Sequence, residues 1–248
     1  MLQLSVEIIQ AEMSITLPQT PHSDPPTSMT LIQSTKVPGC PIAVHFHNNK
    51  IYGGSESTSS LLELDESLGG PRTLINMTKD ATSVQIYKKE IYVWLAKGEL
   101  IHVYDINGKF VRSWKHFCQS KSYNKLRVVS DMLVVSSAQD QALTVYDLQG
   151  QIVKQIKCPG ISISNNWRAM AVCGNDSVIV SDYNTKSVCR VNIDSGEVMW
   201  TSKHVHLPEG VVCYKNRYVL VTNRNTDTRI WILDAETGRY ACCQTIIN

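Results

Sequence analysis

Apolar residues along this chain come in short runs rich in β-branched and aromatic side chains, closed off by glycine or polar turns. No window offers the spacing of a helix of ten or more residues. The runs recur at a regular interval. Turn glycines follow similar apolar stretches at Gly70, Gly108, Gly150, Gly196 and Gly238, in steps of 38, 42, 46 and 42 residues. A second landmark keeps the same beat at Ile51-Tyr52, Ile91-Tyr92, Met132-Leu133, Val178-Ile179 and Tyr218-Val219. Two landmarks in step define an internal repeat.

Each unit reads as four short strands. In the third they are Leu126–Val129, Met132–Ser136, Leu143–Tyr146 and Ile152–Ile156; in the fifth, Val211–Tyr214, Tyr218–Thr222, Arg229–Leu233 and Tyr240–Gln244. Hairpins are predicted from Asp105 to Gly108, Asp147 to Gly150 and Asp234 to Gly238. There Asp accepts local backbone hydrogen bonds and Gly tolerates positive φ. A four-stranded sheet of about 42 residues leaves both faces uncovered, and radial stacking covers them. The predicted fold is therefore an all-β β-propeller of four-stranded blades. Five blades are evident over residues 38–248. Residues 1–27 read as an N-terminal segment and linker, with Pro18, Pro21, Pro25 and Pro26, and the propeller domain as 28–248. Ser28–Val37 reads as one more strand, so a sixth blade is either incomplete or the ring closes irregularly, with Leu2–Leu17 as one candidate closing segment.

Composition narrows the function. The 24 Lys+Arg and 22 Asp+Glu of the 248 residues leave a formal charge of +2, which argues against a dedicated nucleic-acid arm or membrane-surface protein; no membrane or DNA partner is expected. Met1 to Pro18 lacks the basic cluster of a secretory leader, so the expected location is cytoplasmic. The eight cysteines form no C-x-x-C pair, and most read as small core hydrophobes.

Blade wording points further. Gly-His and Trp-Asp pairs of WD blades are absent, and the run Asp194-Ser195-Gly196-Glu197-Val198-Met199-Trp200, similar to quinoprotein-type repeats, occurs once. Pro208-Glu209-Gly210-Val211-Val212, Val180-Ser181-Asp182-Tyr183-Asn184 leading to Val188, and Tyr104-Asp105-Ile106-Asn107-Gly108-Lys109 resemble NHL repeats. From about Val37 onward the chain is similar to the C-terminal propeller of tripartite-motif proteins of type 2 and type 3. The third blade departs, with Ser136 and Asp140 in place of the Asp/Asn pair, and no Asn-His-Leu triplet occurs. The resemblance implies a module that recruits a protein partner, such as a ubiquitination substrate, or RNA. In that family a separate RING finger carries the ligase activity, and no RING or B-box pattern is present in these residues.

Catalytic signals are weak. His45/His47 and His204/His206 would each point to one face of a strand, yet neither has a third ligand at a recognisable spacing. No Gly-x-Ser-x-Gly elbow, P-loop or nucleotide fingerprint occurs, so neither catalytic residues nor a cofactor is expected. A propeller hydrolase or lyase with a channel metal is the alternative from another class.

Binding is better supported. Links between blades share one propeller face with links between second and third strands, and the remaining hairpins share the other. Sorted this way, the blade-link face carries a net charge of about +3 and the hairpin face about −4. Between Ile106 and Ser130 lie six basic residues, no acidic one, and several aromatics. Phe110 and Trp114 are expected to pack between blades, leaving His116 to Lys125 to bind. The expected contact residues are Lys115, His116, Phe117, Lys121, Tyr123 and Lys125, then Arg168 beside Trp167, Asp182, Asn184 and Lys186, and Arg224 and Asn225 beyond Asn223. A protein partner on this face is the first reading. RNA, with basic side chains on phosphates and Phe117 or Tyr123 stacked on a base, is the second.

Overall fold

The repeat folds into five antiparallel four-stranded sheets. The computed structural model describes residues 41–55, 59–65, 71–79, 81–95, 100–116, 125–136, 142–158, 169–223 and 229–245. Blade 1 is β1 (Pro41–His47), β2 (Lys50–Ser55), β3 (Ser60–Asp65) and β4 (Arg72–Asn76). Blade 2 is β5 (Ala81–Tyr87), β6 (Glu90–Leu95), β7 (Leu100–Asp105) and β8 (Phe110–Lys115). Blade 3 is β9 (Lys125–Val129), β10 (Met132–Ser136), β11 (Ala142–Asp147) and β12 (Ile152–Lys157). Blade 4 is β13 (Met170–Cys173), β14 (Ser177–Asp182), β15 (Ser187–Asn192) and β16 (Val198–Ser202). Blade 5 is β17 (Pro208–Tyr214), β18 (Tyr218–Asn223), β19 (Arg229–Asp234) and β20 (Tyr240–Thr245).

Consecutive first strands pack on one another, β1 on β5, β5 on β9, β9 on β13 and β13 on β17. Residues of all five line one central channel. The architecture is a five-bladed propeller. Among the described residues there is no sixth blade; the strand expected at Ser28–Val37, the proline linker and Leu2–Leu17 lie outside them.

Burial follows from the radial arrangement. The second strand β14, in a blade with a neighbour on each side, is buried along its whole length, whereas β18 of blade 5 is exposed or half-buried at half its positions. The outermost strands β8 and β12 are exposed or half-buried at nearly every position. Four apolar clusters each join two successive blades, for example Tyr52, Leu61 and Ile75 with Val84, Ile91 and Tyr104 between blades 1 and 2. The corresponding clusters lie between blades 2 and 3, 3 and 4, and 4 and 5. Two smaller clusters each stay within a single blade, Tyr218 with Ile230 and Ile232 in blade 5, and Ile51 with Leu62 and Leu64 in blade 1.

The predicted turns are present. Gly108, Gly150 and Gly238 have φ of 85°, 93° and 69°. Asp105, Asp147 and Asp234 each accept backbone N–H groups of their own turns on one carboxylate oxygen, at 2.8–3.1 Å. These acids on the hairpin face are turn caps. The glycines also meet the preceding blade. A Cβ on Gly150 would lie 2.5 Å from the Trp114 ring, and one on Gly238 2.5 Å from the Trp200 ring. Gly108 faces Leu74 and Ile75, and Gly196 faces Ile156, in the same sense. Trp114 thus packs between blades as expected. Phe110 does not: it is 51% exposed and rests edge-on against His102 and Tyr104 of its own blade. Every pairing of third with fourth strand carries a register shift, at the equivalent place in blades 2 to 5, such as Val103/Tyr104 and Val145/Tyr146, and two residues earlier in blade 1, at Leu61/Leu62; such a bulge adds twist to the rim.

Cysteine use is partly corrected. Cys158 and Cys189 are buried thiols, as core hydrophobes should be. Cys173 on β13 and Cys213 on β17 are instead joined by a disulfide that ties blade 4 to blade 5, because the two inner strands bring their Cα atoms to 5.3 Å. The bond closes a sequence separation of 40 residues. Its reduction is expected to lower stability by about 2 kcal/mol. Thiol titration of the unfolded chain before and after reduction should rise by two, and an unchanged count would contradict the bond.

Candidate functional site

The inner strands start at the blade-link face and run towards the hairpin face, so their first residues ring the channel mouth. Hydroxyls at the far end of the second strands hold this rim. Ser136 accepts the Lys125 N–H at 3.3 Å, Ser181 that of Ala169 at 3.2 Å, and Thr222 that of Gly210 at 3.0 Å. The same device recurs in three blades and fixes the inner-strand backbone.

At the mouth end the channel encloses about 170 Å³ and is lined by residues of every blade, among them Ala43, Ser83, Lys125, Arg127, Ala169 and Gly210. Farther in, about 420 Å³ is bordered by His45, Phe46, Gln85, Arg127, Ala171 and Val212. Lys125 and Arg127 stand two apart on β9 and share one face of the strand. The Lys125 ammonium reaches blade 2, donating to the Thr82 carbonyl at 3.0 Å. Arg127 donates to the Leu126 carbonyl at 2.7 Å. It keeps some surface on the channel, yet protein surrounds it, and this enclosure lowers its pKa to about 10. Burial, with the Arg127 charge next, lowers Lys125 to about 8. Both remain protonated at neutral pH.

His45 faces the same space from blade 1. Burial first, then the charges of Arg127 and His47, push it down to about 4, so it is neutral at pH 7. Its Nε2 lies 3.4 Å from the Gln85 amide nitrogen. His45 and His47 do share one side, with rings stacked 6.3 Å apart. Among the described residues, however, no three His, Cys, Asp or Glu gather as metal ligands. His204 and His206 are exposed.

Several expected contact residues sit differently from the expectation. His116 is 2% exposed, hydrogen-bonded through Nδ1 to the Tyr146 hydroxyl and edge-on to Trp94, so it is a core side chain. Lys125 is a strand residue turned into the channel rather than a loop residue on the face. Asp182 is 1% exposed, and its carboxylate accepts the Asn184 N–H at 2.9 Å, capping the turn that carries Asn184 and Lys186. Lys115 and Lys186 are exposed on the blade-link face, as expected, and Asn184 is half-buried. Phe117, Lys121, Tyr123, Arg168, Arg224 and Asn225 lie outside the described residues.

The basic run is dispersed by the fold. Lys109 is exposed at a hairpin on the other face. Arg112 forms a forked pair with Glu90 at 2.6 and 2.8 Å and donates to the Leu148 carbonyl of the next blade. Its charge serves the blade 2–blade 3 junction. Sequence reasoning missed Arg127 and Gln85 as channel residues. Alternation on β9 held the signal for Arg127, since it repeats the orientation of Lys125 between buried Leu126 and Val128.

Comparison with known proteins confirms the propeller and goes little further. A family model described as outer membrane protein assembly factor BamB matches residues 160–241, about a third of the chain, and includes the run Asp194–Trp200. No curated protein matches the sequence. A chain of the nidogen/laminin complex superposes with a TM-score of 0.68 at 13% identity, over 92% of this chain and 88% of that one. Virginiamycin B lyase from Staphylococcus aureus gives 0.66 at 10% identity, over 84% and 71%, and the WD40 propeller domain of Doa1 gives 0.65 at 14%, over 88% and 72%. At such identities the likeness shows the fold alone. The NHL and tripartite-motif assignment stays a resemblance.

Proposed function

We propose that this propeller is a recognition module that binds an acidic protein partner across its blade-link face. One observation carries the reading. Lys79, Lys115, Lys157, Lys186 and Lys203 are exposed on that face, while of its described acids Asp182 is buried and Glu209 half-buried. A positive field there favours encounter with a negatively charged surface. The similar chain of the nidogen/laminin complex belongs to a protein complex, which is consistent with such a use of the fold. The tripartite-motif resemblance adds a finer version, in which the partner is a substrate carried to a ubiquitin ligase.

Affinity purification with the chain and with a Lys115→Glu/Lys157→Glu/Lys186→Glu variant tests this. Protein partners are expected to bind the wild type, to fall about tenfold or more in the variant, and to be released by raised salt. Equal recovery by both would overturn the face assignment. Loss of the bound material on nuclease treatment would replace the protein reading with RNA.

A further inference from the structure

We propose that the central channel is an oxyanion site, in which Arg127 and Lys125 hold a carboxylate or phosphate group entering from the blade-link face. This goes beyond the partner reading and does not depend on it, since the site lies inside the ring.

Three observations converge on the channel. First, two cationic side chains from one strand point into a space shared by all five blades. Second, the described residues lining both parts of that space include no Asp or Glu, and no acidic side chain among the described residues forms a salt bridge with Arg127. A guanidinium keeps its charge at neutral pH, so its enclosure costs free energy unless an anion is drawn in. Third, the approach is positive, with exposed Lys79, Lys115, Lys157, Lys186 and Lys203 on the face where the channel opens. A cleft of one sign with protein walls focuses the field on its interior.

The lining supplies neutral donors as well as charge. The Ser83 hydroxyl borders the mouth, and the Gln85 amide lies beside neutral His45 farther in. About 170 Å³ at the mouth suits a compact group, such as inorganic phosphate or the carboxylate tip of a side chain, rather than a nucleotide. The shared chemistry is an oxyanion. Its source is either a free small anion or an acidic side chain of a docked protein.

Thermal unfolding at constant ionic strength tests the proposal, with inorganic phosphate and a capped Gly-Glu-Gly peptide as probes against chloride. Saturating probe is expected to raise the wild-type melting temperature by about 5 °C. Arg127→Gln should abolish the shift, Arg127→Lys should retain much of it, and Lys125→Met should reduce it. Without probe, Arg127→Gln is expected to melt no lower than wild type, an outcome a purely structural arginine would not give. A response to phosphate alone marks a free anion, and a response to the peptide marks a side chain. If Arg127→Gln does not fold, the phosphorus NMR linewidth of phosphate over wild type and Lys125→Met decides, broadening with the first more than with the second. No wild-type response to either probe, or equal responses in wild type and the variants, overturns the proposal.

Discussion

Gly150→Ala is expected to lower the stability of this propeller by about 3 kcal/mol, or roughly 6–12 °C in melting temperature. Two costs combine. The backbone at Gly150 has φ of 93°, which an L side chain adopts only under strain. The new Cβ would also sit 2.5 Å from Trp114, whose ring fills the junction between blades 2 and 3. A double-mutant cycle with Trp114→Ala separates them, because removing the indole leaves only the backbone cost of about 1 kcal/mol. Measured by circular dichroism, a loss for Gly150→Ala no larger in wild type than in the Trp114→Ala background would show that the turn does not bear on the ring.

Acid is expected to destabilise the fold well above the range where carboxylates titrate. His45 takes up a proton near pH 6.5 in the unfolded chain but only near 4 in the channel, because burial and Arg127 oppose its charge. Between those values the unfolded state binds more protons, so stability falls as pH drops, by on the order of 3 kcal/mol across the window. Half-buried His102, also lowered by burial, acts in the same sense. Glu63 and Glu90, held below the usual carboxylate range by Arg72 with Lys50 and by Arg112, lose their contribution only below about 4.5. Urea unfolding at a series of pH values should therefore show a slope between 6.5 and 4.5 that His45→Gln flattens. Identical slopes in both proteins would remove His45 from the cause.

The blades were legible because their signals are local. In the third blade the predicted edges and the observed β9 to β12 differ by one residue at most. Asp147 and Gly150 close the hairpin as expected, since turn chemistry needs only neighbouring residues. The channel was legible only in part. Lys125 and Arg127 announce a shared face by their spacing, but which way that face turns depends on how five sheets meet. His116 read as a loop histidine because nothing beside it in sequence reveals Trp94 and Tyr146, its partners in space. The Cys173–Cys213 bond depends on the approach of two strands about 40 residues apart. Arg112 looked like part of a binding run until Glu90, on a strand paired elsewhere in the blade, supplied its carboxylate.

The contact between turn glycine and preceding blade has a direction. Gly108, Gly150, Gly196 and Gly238 each rest on a fourth strand that was synthesised before them. A chain emerging from the ribosome therefore meets, at each new turn, a surface already made, and blades add in translation order like stairs built from the bottom.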